Sequence, residues 1–112
     1  MLSGVLGNSA VKRPEADFSA GGKFGDVFSN FDRFVTVSST FEDLGVAAYK
    51  GQAANLMDND DILTVALQIH TVEARHAAIA RRIAGKKAWD DAFDKPMTKE
   101  EVLATAKPFL VA

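Results

Sequence analysis

With 112 residues, 47% apolar and 25% charged, the chain has the balance of one soluble globular domain and is too short for two. A formal net charge of -2 offers no basic field to nucleic acid or anionic lipid, and no apolar run nears the ~20 residues of a membrane-spanning helix. Cysteine is absent, which excludes disulfides, zinc–thiolate and iron–sulfur sites and thiol nucleophiles while leaving the compartment open.

Residues 1–11 predict a short helical end stopped by Gly7-Asn8-Ser9, and the first seven residues lack the charged start and apolar stretch of a secretory signal. Lys12 to Asp26, with Pro14, Gly21, Gly22 and Gly25, reads as a loop that Phe18 and Phe24 tuck against the helices. From about Val27 to Leu56 the period becomes helical. Phe31, Val35, Ser38, Glu42, Gly45, Tyr49, Gln52 and Leu56 alternate steps of four and three, the seam of one helix lying along another. Asp58, Asn59 and Asp60 are candidate N-caps for a second helix running from about Asp60 to Ala84 and stopped by Gly85. Its seam is Ile62, Val65, Ile69, Val72, His76, Ile79 and Ile83. Each helix is expected to be roughly 35–45 Å long, and the short connection makes them antiparallel. Arg81, Arg82, Lys86 and Lys87 read as a solvated helix end. Residues 86–97 look irregular, with Trp89, Phe93 and Pro96 as anchors onto the helices. Thr98 and Glu101 form a capping box that opens a short helix through about Lys107, ended by Pro108. The expectation is one all-α domain over residues 1–112.

The residues with chemistry lie on these seams. Glu42 is on the first, and Glu73 and His76, three apart, sit on or beside the second. A carboxylate among apolar residues needs compensation, and a divalent ion shared by Glu42, Glu73 and His76 supplies it. Glu-x-x-His is the spacing by which one helix offers an oxygen and an imidazole to one ion. The plainer reading is open beside it: Glu73 pairs with an arginine and His76 is a satisfied core histidine. Tyr49 and His70 are weaker candidates for an outer shell around such a site, against the readings of a core tyrosine and an exposed histidine. Gly45 serves close approach of a neighbouring helix.

The ordered series Phe41–Gly51, Ile69–Ala77, Ala92–Thr98, Val102-Leu103 and Pro108–Leu110 resembles the ferritin-like domain family that includes the plant desiccation-related proteins. The resemblance implies a ferritin-like four-helix bundle, here truncated to an antiparallel pair of long helices plus a short C-terminal helix. It also implies a di-metal carboxylate site for iron or manganese, with Glu42 matching the carboxylate of the third bundle helix and Glu73 and His76 the pair on the fourth. The departure is large. The first bundle helix is lacking, the second survives at most as Met1 to Val11, no histidine precedes His70, and Glu15 is the only glutamate before Glu42. Three expectations follow: a missing N-terminal half, a half-domain that forms a homodimer, or a relic without metal. In functional terms these become an iron- or manganese-binding protein, iron-oxidising or tied to stress and desiccation, or a non-catalytic structural or interaction module. A groove binder for a partner helix follows from the exposed seams alone.

Overall fold

The computed structural model describes residues 7–111. Its frame is a hairpin of two helices, α1 (Phe31–Gln52) and α2 (Asp60–Ile83), followed by the short α3 (Lys99–Ala106). Among the described residues the only extended pairing is an isolated antiparallel bridge between Ala16 and Leu110. The all-helical class and the element order agree with the sequence reading. Of the helical end expected over residues 1–11, the described part holds a single 3₁₀ turn, Gly7–Ser9, and residues 1–6 lie outside the described residues.

The helices begin where side chains satisfy their first amides. α1 starts four residues later than the seam predicts, because Asn30 Oδ1 accepts from the Arg33 amide while its Nδ2 donates to Asp26. Asn59, among the three candidate caps, accepts from the Ile62 amide and starts α2. Thr98 and Glu101 exchange both bonds of the capping box. At the other end of α2, Gly85 takes a φ of 72°. Its amide bonds Arg82 and the Lys86 amide bonds Arg81, the pair of bonds that closes a helix on a left-handed glycine. α1 tightens into a 3₁₀ turn, Ala53–Leu56, before the reversal. At 22 and 24 residues the helices are about 33 and 36 Å long.

The register is antiparallel. Phe34 shares a groove with Ile83, Gly45 lies against Glu73, and Ala53 shares a pocket with Leu63. The α2 stripe that meets α1 is one position on from the expected seam: Leu63, Ala66, His70, Glu73, Ala77 and Ala80. Ala66 and Ala77 on this stripe are buried, while Val72, His76, Ile79 and Ile83 of the expected seam are exposed. The small side chains explain the shift, since alanines let α1 come close whereas the isoleucines would hold it away. Apolar residues on two adjacent stripes made the choice ambiguous.

The core lies on the far side of α1. The loop before α1 folds over it, and Val27, Val37 and Phe109 are buried there with Phe24 and Phe41 packed on them. Phe41 stands edge-on to Phe109 at 4.8 Å and to Phe18 at 5.5 Å, and Phe24 stacks on Phe109 at 5.9 Å, so Phe18 and Phe24 do tuck the loop. Asp17 holds the loop's turn by accepting from the Ser19 hydroxyl and the Ser19 and Gly21 amides. Those bonds, the Ser19 hydroxyl first, keep its carboxyl below the ordinary range. Bonds from Asp17 N to Phe109 O and from Val111 N to Glu15 O tie loop and C-terminus together.

Residues 86–97 are irregular as expected, but their anchors differ. Trp89 and Phe93 are 69% and 85% exposed, and Pro96 is exposed. The strap is fastened by polar groups instead. The Met97 amide donates to Ala47 O, Lys50 Nζ meets Asp94 at 2.8 Å, and the Met97 carbonyl fills the space that a side chain at Gly51 would need. Lys50, first by its hydrogen bond and then by its charge, holds the Asp94 carboxyl below its usual range against the effect of burial. Arg81 is likewise no solvated end. It bonds Asp43 on α1 and Asp90 in the strap, which secure its proton further. Arg82, Lys86 and Lys87 are exposed.

Candidate metal centre

Glu42 stands midway along α1, one turn before Gly45. Gly45 has no Cβ, and the Glu73 carboxylate packs against it, Oε2 lying 3.4 Å from where a Cβ would be. An alanine Cβ there would just touch the carboxylate, so only a small residue at 45 leaves space for the acidic side chain between the helices. His76, three residues on, projects from the same side of α2. One ligating atom from each of Glu42, Glu73 and His76 lies within 4.8 Å of the others.

Two carboxyls this close compete for charge. Glu73 is pushed up to about 7, first by the hydrogen bond its protonated form makes with Glu42, then by burial and by the Glu42 charge, while His76 opposes the shift. Glu42 Oε2 is buried and finds no hydrogen-bond donor among the described residues. The nearby His76 Nδ1 is 3.4 Å away and, when protonated, forms an ion pair with it. The Glu42 side chain is 24% exposed and that of His76 54%, so the group is shielded from the core side and open on the other. The opening is a groove of about 210 Å³ walled by Phe34, Val35, Ser38, Ile79 and Ile83.

The donor set fits a divalent ion. An orphaned buried carboxylate oxygen, a second carboxyl that keeps a proton to avoid repulsion, and an imidazole in reach are groups that a cation would satisfy together. Oxygen donors with one imidazole suit iron or manganese better than soft, thiolate-preferring ions. Three donors do not complete the shell of one ion, and the open side is where the rest would come from.

Tyr49 and His70 are brought to each other but not into this groove. They line a separate pocket of about 80 Å³ with Lys50, Ala53, Leu63 and Leu67. His70 is half-buried rather than exposed, and its Nε2 is buried without a partner among the described residues. The exposed reading fails because His70 belongs to the Ala66–Glu73–Ala77 stripe, which meets α1. The Arg81–Asp43 clamp was missed for the same reason: Arg81 is one turn past Ala77 on that stripe.

No curated protein and no solved structure matches the sequence. The sequence profile of the ferritin-like domain matches residues 1–86, which include α1, α2 and all three converging side chains and leave out α3. The paired helices, the inward carboxylates and a match over most of the length agree, and the chain belongs to the ferritin-like domain family.

Proposed function

We propose that this helix pair is half of a di-metal carboxylate site for iron or manganese, with Glu42, Glu73 and His76 as its ligands. The observation that supports it most is the convergence of the three donors within 4.8 Å around a buried carboxylate oxygen that receives no hydrogen bond among the described residues. Glu42 and Glu73 would each offer the ion a carboxylate oxygen and His76 one ring nitrogen. The remaining donors come from a second helix pair, either a second copy of the chain or the first bundle helices of the family's pattern. Bound iron would support ferrous oxidation by dioxygen or peroxide, and bound manganese peroxide disproportionation. The chain's own part is to hold the donors, to release the Glu73 proton as the ion enters, and to seal the core side with α1. Assignment to the desiccation- and stress-related branch is the finer part of this reading and rests on the resemblance of Phe41–Gly51 and Ile69–Ala77. Equilibrium dialysis against Mn²⁺, with metal analysis, tests the site. Wild type should hold about one ion per chain, and Glu42→Ala and His76→Ala should each weaken binding tenfold or more. Undiminished binding in both variants would exclude these ligands.

A second reading has its own support. The His76–Glu42 pair and a near-neutral Glu73 can satisfy one another without an ion. The hairpin would then be a structural or interaction module. It requires that protein from iron- and manganese-supplemented cells carry no stoichiometric metal.

A further inference from the structure

We propose that the open face of the hairpin is the docking surface for a second copy of this chain, and that divalent metal at Glu42, Glu73 and His76 closes the pair. This rests on the metal reading above and adds the partner and the coupling.

The first observation is where the donors sit. Glu42 and His76 line the groove that also exposes Phe34, Ile79 and Ile83, with Glu73 within 4.8 Å of both, and not the side covered by the loop and C-terminus. Whatever covers the apolar groove therefore also faces the ion.

The second is extent. Phe31, Phe34, Val72, Ile79 and Ile83 are 67, 48, 38, 59 and 55% exposed and continue the groove along both helices. Two aromatic and three aliphatic side chains so exposed present roughly 400–500 Å² of apolar surface. An ordinary dimer takes about 800 Å² from each partner, some 56–65% of it apolar. The face therefore has the apolar area that one side of such an interface requires.

The third is charge. Of the groove's lining only Glu42 and His76 are ionisable, with Glu73 within 4.8 Å of both, and the exposed Arg75 borders the face beside Val72 and Ile79. A foreign partner would have to bring its own matching set of ligands. A second copy related by a two-fold at the level of Glu42 brings it already: two carboxyls and one imidazole from each chain. Without cations a second copy sets two more carboxyls against Glu42 and raises the cost of any charge there, and with two divalent ions the charges of four ionised carboxylates balance. Metal binding and pairing are then linked, each strengthening the other by the same factor.

Sedimentation velocity of the 112-residue chain, run in EDTA and in Mn²⁺ beside dialysis for bound Mn²⁺, tests this. A 12.0 kDa monomer in EDTA should double its mass with Mn²⁺, the dissociation constant of the pair tightening at least tenfold. Ile79→Glu should keep its helical circular dichroism and stay monomeric with Mn²⁺. The double variant Glu42→Gln, Glu73→Gln should pair in EDTA and gain nothing from Mn²⁺, which a merely structural role for these glutamates does not predict. Mn²⁺ bound at monomer mass overturns the second copy and leaves the metal reading standing. Neither binding nor doubling overturns both. A mass that is the same in EDTA and in Mn²⁺, or that grows without limit, overturns the coupled pair.

Discussion

The two sides of α1 are built from similar residues and end up differently. On one side Phe24, Phe41 and Phe109 are locked together by ring contacts of 4.8 to 5.9 Å and by the backbone bonds between the first loop and the C-terminus. On the other, Phe34, Ile79 and Ile83 stand half open around two glutamates and a histidine. The difference is not hydrophobicity, since both sides offer aromatic and branched side chains. It is the presence of a covering segment. Where the described residues supply one, the side is a core; where they do not, the side carries the ionisable groups that a buried core would penalise.

The comparison breaks first at Phe109. Phe109→Ala should cost about 3–5 kcal/mol in urea melts, because the ring is 8% exposed and supports two others. Arg81→Ala should cost about 1–2 kcal/mol by freeing both Asp43 and Asp90, while the exposed Arg82→Ala stays within about 0.5 kcal/mol. Equal losses in the two arginine variants would show that the clamp contributes nothing. The open side should show itself through pH. Glu73 holds its proton up to about 7 when folded against about 4.5 unfolded, so the native state binds more protons between those values. Stability of the metal-free chain should therefore fall as pH rises from about 4.5 to 7 and level off beyond. After solvent screening the drop is on the order of 1 kcal/mol, and Glu73→Gln should abolish it. The smallest effect belongs to Phe34→Ser, within about 0.5 kcal/mol in dilute metal-free protein. A loss as large as that of Phe109→Ala would mean the groove is already closed.

The helix pair, its reversal, the capping box and the juxtaposition of Glu42, Glu73 and His76 were legible because helical spacing and cap chemistry are local. What was not legible depended on which of two adjacent stripes faces inward. Ile62 through Ile83 is the more hydrophobic stripe and was the natural choice. The closer packing of Ala66 and Ala77 won, and with it His70 moved inward and Arg81 acquired Asp43. Trp89 and Phe93 misled for a related reason. Large rings argue for burial, yet the strap is fixed through the Met97 amide and Asp94, contacts with partners more than 40 residues away that no local pattern encodes.

Gly45 brings the consequence of these contacts down to a single spacer. With only a hydrogen on α1 at that point, the Glu73 carboxylate faces Gly45 across a gap that would hold little more than a methyl group. A side chain larger than alanine at position 45 would meet that carboxylate, so tolerance at this one position measures how closely the two rods are held at mid-length.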